Sequence, residues 1–214
     1  FVGLIDDKNN LRIIVRYTII LFFLLIFLDL SILLKITNLK FFLMENKYFF
    51  KIQNPVLITS IVIIIFIIMY NLFDGINLQS SLISIFYLSY LSLFQYQIFM
   101  IMLNFSFILS LIIFSFFNFK NISFLGNSGI NLVGLIILIN IIIANNNEIQ
   151  ESNIDFFFVL LMFIFPGLDM FRLFFIRLIN NGSPFNPDKN HIHHLMIKRF
   201  SQITSSLILL FCIM

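Results

Sequence analysis

Residues 55–75 read PVLITSIVIIIFIIMYNLFDG, an apolar stretch from Pro55 to Phe73 that ends on Asp74 and Gly75. Its apolar residues are continuous and do not alternate with polar ones, which favours a helix over a half-buried strand. A bilayer core of roughly 30 Å takes about 20 helical residues. In lipid, helices and closed barrels alone satisfy every backbone group. The stretch is therefore expected to cross a membrane over 55–73. Working outward, comparable runs lie at 12–34, 80–95, 98–117, 129–145 and 154–168, with another starting near 203. The expected fold is all-α: a polytopic bundle of six to seven spans forming one membrane domain over 1–214.

Composition agrees with that reading. Of 214 residues, 60% are hydrophobic and 11% charged, with a mean hydropathy of +1.04. Soluble domains carry about 25% charged residues, so a water-soluble globule and a disordered chain are both excluded. One cysteine, Cys212, leaves neither an internal disulfide nor a cysteine zinc site. The abundance of Phe, Ile and Asn, with no Trp and a single Ala144, fits an AT-rich genome. Aromatic richness is thus no sign of a nucleic-acid partner, and none is expected. The chain opens on Phe1 and ends within an apolar run at Met214, so it is expected to be an internal piece lacking spans at both ends.

The segments between the runs divide between two sides of the membrane. Lys8, Arg12, Arg16, Lys120, Arg172, Arg177, Lys189, Lys198 and Arg199 fall on one side; Lys35, Lys40, Lys47 and Lys51 fall on the other. The positive-inside rule makes the first side cytoplasmic.

Four polar constellations share that side. Asp6 and Asp7 are adjacent carboxylates, which a divalent ion or a shared proton would stabilise; a solvated pair with an N-cap role fits as well. Asn71 and Asp74 are three apart at a helix end. An unpaired charge there is costly and points to a metal, a substrate or donors, while Gly75 could simply cap the helix. Phe124-Leu125-Gly126-Asn127-Ser128-Gly129 can hold a phosphate on backbone amides or form an ordinary turn. The segment 169–202 reads as a long cytoplasmic loop with an interfacial helix carrying Asp169, Arg172 and Arg177. It continues through Gly182-Ser183-Pro184-Phe185-Asn186-Pro187-Asp188 to His191-Ile192-His193-His194, which holds all three histidines of the chain. On a regular helix His193 points away from His191 and His194, so hydrogen bonds to phosphates or hydroxyls suit these residues as well as metal ligation does. Carboxylates, arginines, histidines and a phosphate-type turn on one side suit a phosphorylated substrate with Mg²⁺.

In this order the motifs Gly3-x-x-Asp6-Asp7, Asn71-x-x-Asp74-Gly75, Phe124 to Gly129 and Ser183-Pro184-Phe185-x-Pro187-Asp188-x-x-His191-x-His193-His194 resemble the polyprenyl-phosphate N-acetylhexosamine-1-phosphate transferases of glycosyltransferase family 4. The undecaprenyl-phosphate N-acetylglucosamine-1-phosphate transferases look most similar, and the phospho-MurNAc-pentapeptide translocases more distantly so. The resemblance implies transfer of an N-acetylhexosamine 1-phosphate from a UDP-N-acetylhexosamine to undecaprenyl phosphate. It further implies release of UMP, Mg²⁺ or Mn²⁺ as cofactor, and a place in the bacterial inner membrane facing the cytoplasm. A homodimer is compatible with it. Implied catalytic residues are Asp6, Asp7, Asp74, His191, His193 and His194; Asn71, Arg172, Arg177, Ser128 and Asp188 would bind substrate; Asp74 and Asn127 would bind metal.

Two positions depart from the family pattern. Asn127 stands where the family has a Mg²⁺-binding Asp, and Asn77-Leu78 stands where many relatives have Asp-Gly. Both remove negative charge, which leaves a catalytically lapsed binding subunit as an alternative. A transporter is a further one, for which Asp29 within its span is the relevant residue.

Overall fold

Pro55 begins the decisive helix at its first turn, where its missing N–H is no loss, and the helix ends at Phe73 as expected. The computed structural model describes residues 2–9, 11–31, 33–43, 46–93, 95, 97–146, 156–179 and 191–213. In chain order the elements are α1 (Val2–Asn9), α2 (Ile13–Leu30), β1 (Asn38–Leu43), β2 (Asn46–Lys51), α3 (Pro55–Phe73), α4 (Gln79–Ser92), α5 (Ile98–Phe119), α6 (Gly126–Asn146), α7 (Phe156–Ile179), α8 (Ile192–Ile197) and α9 (Gln202–Ile213). The fold is helical, as expected. Among the described residues α2, α3, α5 and α6 are long and apolar enough to cross a membrane.

Three features differ from the sequence reading. The segment 38–51 is an antiparallel hairpin, with Asn38 opposite Lys51 and Leu43 opposite Asn46. Its aromatic residues favour extended backbone, and the end of α6 holds its approach: Asn146 Nδ2 donates to the Lys35 carbonyl at 2.7 Å and Asn145 Nδ2 to the Asn38 carbonyl at 3.0 Å. Second, α4 has only 14 residues, about 21 Å at 1.5 Å per residue, yet it returns the chain toward the far side: Asn77 and Leu78 before it bond Asn121 and Asn118 at the end of α5, while Ser92 at its own end meets Asn104 within α5. It is an internal helix whose Ser80, Ser81, Ser84, Tyr87, Leu88 and Leu91 are buried. Third, α7 continues through 168 to Ile179, so the expected separate interfacial helix is the second half of α7. Asp169 and Arg172 do not break it because they neutralise each other at i,i+3 spacing.

The core lies where α3, α4 and α6 meet. Tyr70 and Tyr87 are fully buried beside Ile83, Leu91 and Ile137, and the Tyr70 hydroxyl meets Ser84 and the Ser80 carbonyl. Gly134 lets α6 approach α3 closely: a Cβ there would stand 3.3 Å from the Tyr70 ring. Phe163 brings α7 in, edge-on to Phe66 with ring centroids 4.4 Å apart.

Polarity is distributed as lipid requires. Asn104 of α5 is fully buried and donates to Asn140 Oδ1 of α6 at 2.9 Å and to Ser92 Oγ of α4 at 3.1 Å. Outward-facing residues of α2 and α5 include Phe22, Phe23, Phe27, Phe105, Ile113 and Phe116. Inward amides join the helices, and the apolar surface faces outward.

Candidate active site

The adjacent carboxylates Asp6 and Asp7 serve different neighbours. Asp6 is buried and ion-paired with Arg16 of α2, and its Oδ1 accepts the Leu11 N–H at 3.0 Å. Arg16 in turn donates to the Tyr17 hydroxyl at 2.8 Å and lies over that ring. The repulsion expected between the two carboxylates is thus offset by a guanidinium.

Asp7 is exposed and reaches the first turn of α6, where Oδ1 accepts the Asn127 N–H at 2.8 Å and Oδ2 accepts the Ser128 N–H at 3.0 Å. These amides belong to the turn read as a phosphate cradle; a carboxylate caps them here, which an N-terminal dipole favours. Burial alone would raise the Asp7 pKa, but hydrogen bonds from the Ser128 and Asn127 side chains and backbones outweigh it, so the carboxyl lies below its ordinary value. Two glycines make the contact. A Cβ on Gly3 would come within 2.6 Å of Ser128 Cα, and Gly126 turns the chain at φ +64°.

The same turn meets the end of α3. Asn71 Nδ2 donates to Asn127 Oδ1 at 2.9 Å. Asp74 is the C-cap residue of α3, its N–H donating to the Asn71 carbonyl at 3.3 Å. Burial pushes the Asp74 carboxyl above its ordinary value, and a hydrogen bond with Ser80 only partly offsets this. Gly75 is not a left-handed cap; the left-handed residue of this corner is Leu78, at φ 69°. A neighbouring loop holds that conformation. Asn118 Oδ1 accepts the Leu78 N–H at 2.7 Å, Asn77 bonds Asn121, and Asn118 Nδ2 donates to the Ser123 carbonyl at 2.8 Å.

A second polar cluster centres on Asp169 of α7. Its Oδ1 accepts Arg172 Nη2 at 2.8 Å and Nε at 3.2 Å, and its Oδ2 lies 3.0 Å from His191 Nδ1. The Ile192 N–H points at both oxygens from 3.3 Å. His191 is buried and precedes α8 with extended backbone. His193 and His194 lie on α8, but their side chains and that of Arg177 are outside the described residues, as is Asp188 altogether. α9 ties this region to the first cluster: Ser206 Oγ donates to the Asn77 carbonyl at 2.9 Å.

The structure therefore joins Asp7, Asn71, Asn127 and Ser128 at one junction, with Asp6 anchored behind them, and puts Asp74 at the same end of α3 with its carboxyl turned to Ser80 of α4. Arg172 and His191 meet around Asp169, which the sequence placed near them without a role. Its signal was the i,i+3 spacing to Arg172. The Asp6–Arg16 pair had none, because it spans ten residues across a helix break. Among the described residues no group of three or more His, Cys, Asp or Glu side chains converges as a metal site. Asp74 and Asn127 carry oxygens of the hard type that Mg²⁺ takes, turned in this structure to Ser80 and to Asn71 respectively.

Residues 1–145 match glycosyl transferase family 4. Over 75 residues the chain is 31% identical to an undecaprenyl-phosphate alpha-N-acetylglucosaminyl 1-phosphate transferase from Pasteurella multocida (strain Pm70). That segment covers 35% of this chain and 20% of the relative's length.

Proposed function

The chain belongs to glycosyl transferase family 4, and from that membership we propose a sugar-phosphate transferase that moves an N-acetylhexosamine 1-phosphate, GlcNAc 1-phosphate in the first instance, from a UDP-sugar to undecaprenyl phosphate. An oxygen of the lipid phosphate attacks the sugar-linked phosphorus. The bond from that phosphorus to the bridging oxygen breaks, and UMP leaves with the electron pair. The product is the first lipid-linked intermediate of a surface polysaccharide or cell-wall polymer.

The observation that carries this reading is the junction of α1, α3 and α6, where Asp7, Asn71 and Asn127 meet at helix ends and Asp74 closes the same end of α3. Phosphoryl transfer asks for positioning and electrostatics more than for covalent chemistry, and helix ends with fixed polar groups supply both. Asp7 orients the acceptor or takes its proton, and Asn71 and Ser128 line the diphosphate. Asp74 and Asn127 would hold Mg²⁺, whose chemistry when bound is to offset charge on the diphosphate and on departing UMP. Arg172 and His191 bind donor phosphates or sugar, with Arg177, Asp188, His193 and His194 in the same service. The excess of Lys and Arg on this side supports a cytoplasmic face, and the family reading puts that face on a bacterial inner membrane.

A second reading has one observation in its favour. Asn127 Oδ1 already accepts a hydrogen bond from Asn71, an arrangement suited to a chain that binds substrate without turnover. The deciding experiment supplies membranes carrying the protein with Mg²⁺, undecaprenyl phosphate and a panel of labelled UDP-sugars. Lipid-linked sugar phosphate with equimolar UMP is expected. A folded protein that forms neither, beside a working control enzyme, overturns the transferase and favours the lapsed subunit.

A further inference from the structure

His191 is the one histidine whose ring is described, and it is buried against a carboxylate rather than presented from a mobile surface. Asp169 Oδ2 stands 3.0 Å from its Nδ1. A carboxylate has no proton to give, so Nδ1 carries the hydrogen and Nε2 becomes the basic nitrogen of the neutral ring. An isolated imidazole has no such constraint.

Asp169 is itself over-determined. Arg172 grips Oδ1 through two nitrogens, at 2.8 and 3.2 Å, and the Ile192 N–H approaches both oxygens. The carboxylate therefore cannot rotate away from His191 without breaking contacts to α7 and to the start of α8. Only 4% of its side chain is exposed, so water does not replace them.

We infer that Asp169 is a positioning residue for the transfer reaction: it fixes the Nδ1–H form of His191 and ties that ring to Arg172. This rests on the sugar-phosphate transferase reading above. Asp169 touches neither substrate in this role and acts through His191. The logic is that of a carboxylate orienting a histidine whose far nitrogen does the work.

A double-mutant cycle in membranes carrying the full chain tests it. Asp169→Asn presents an N–H to Nδ1 and so reverses the ring's hydrogen. It is expected to lower kcat about 10- to 100-fold with KM within about twofold. In a His191→Asn background the same substitution is expected to change kcat by less than about twofold, because its target is gone. Equal losses in both backgrounds overturn the inference, as does a loss that disappears only when Arg172 is replaced by Met.

A second measurement needs no turnover. In purified protein labelled with nitrogen-15 histidine, assigned by the His191→Asn variant and recorded on the neutral ring, His191 is expected as the Nδ1–H form, and as Nε2–H in Asp169→Asn. An Nε2–H ring in the unsubstituted protein overturns the inference. If the unsubstituted protein makes no lipid product from any donor, the transferase reading falls, and the nitrogen-15 result still decides what Asp169 does to His191.

Discussion

Two elbows of the chain each withdraw a carboxylate from water, and they treat it differently. At the α1–α2 elbow, Asp6 has a guanidinium, a backbone N–H and, through Arg16, a tyrosine hydroxyl. At the α3–α4 elbow, Asp74 has the Ser80 hydroxyl, and its amide neighbours Asn71 and Asn127 bond to each other. A carboxylate matched by charge and hydrogen bonds is a structural fixture. One that burial alone pushes toward protonation is held at a cost to the fold, a pattern that clusters at functional sites. The difference separates an anchor from a working group within a single junction.

The largest expected effect tests the anchor. Arg16→Met leaves Asp6 buried without its cation, and removing one partner of such a pair typically costs about 3–5 kcal/mol. Thermal unfolding in detergent should show a large drop, and Asp6→Asn together with Arg16→Met should recover much of it. An Arg16→Met protein as stable as the original would place Asp6 with Asp74 and erase the contrast.

Asp74→Asn tests the working group and has two expected signs. Activity should fall about 10²- to 10³-fold, the scale for losing one electrostatic contact to the reacting centre. Stability should rise near neutral pH. Because the folded-state pKa of Asp74 lies above the ordinary 3.8, its ionised form destabilises the fold at pH values above that folded pKa. The penalty fades as pH falls through it toward 3.8, so the gain from Asp74→Asn should shrink on acidification. Asp7 has the opposite sign. Its folded-state pKa is depressed, so its contribution is present above 3.8 and is lost as pH falls through the folded value. Asp7→Asn should therefore destabilise at neutral pH, with a penalty that vanishes in acid. Paired unfolding curves across pH check both signs; parallel curves for the two variants would refute the assignment.

The sequence made the long helices legible because lipid imposes a simple rule on them. α3, α5 and α6 start and stop close to the edges of their apolar runs. The same rule found α4 but not that its apolar residues face a protein core, and it stopped α7 short, where a neutralised i,i+3 pair let the helix continue. Within the site, Asn71, Asp74, Asn127 and Ser128 were legible because a polar residue is conspicuous at the end of an apolar run. Their partners were not. That Asp7 caps α6 depends on α1 lying against Ser128, a contact between residues more than 100 positions apart that Gly3 alone foreshadows, and the Asp6–Arg16 pair depends on how the chain turns between α1 and α2.

Asn127→Asp asks how much charge the α3–α6 side of the junction lacks. A carboxylate at 127, facing Asn71 at the end of α3, should strengthen attraction for Mg²⁺, since ligand charge tunes cation affinity. The Mg²⁺ concentration giving half-maximal activity should fall about tenfold if the chain is already active. A rise from almost no activity would instead identify a lapsed enzyme restored by one substitution. An unchanged Mg²⁺ dependence would remove Asn127 from the metal's neighbourhood.

The smallest effect lies at Leu78, again in the α3–α4 elbow. Its left-handed backbone at φ 69° brings the Cβ against the following carbonyl, at about 1–2 kcal/mol for a residue of this kind. The facing loop has its own left-handed residue, Asn121 at φ 57°, but Asn tolerates that region through local hydrogen bonds. The hydrogen bond from Leu78 N–H to Asn118 survives substitution by glycine. Leu78→Gly should therefore relieve strain, and after glycine's entropy and the loss of the half-buried leucine side chain are counted the net stabilisation should stay below about 1 kcal/mol. Asn121→Gly should gain nothing, because it also removes the side-chain bond to Asn77. Equal shifts in unfolding temperature for the two variants would mean that the elbow stores no more strain than the loop that holds it.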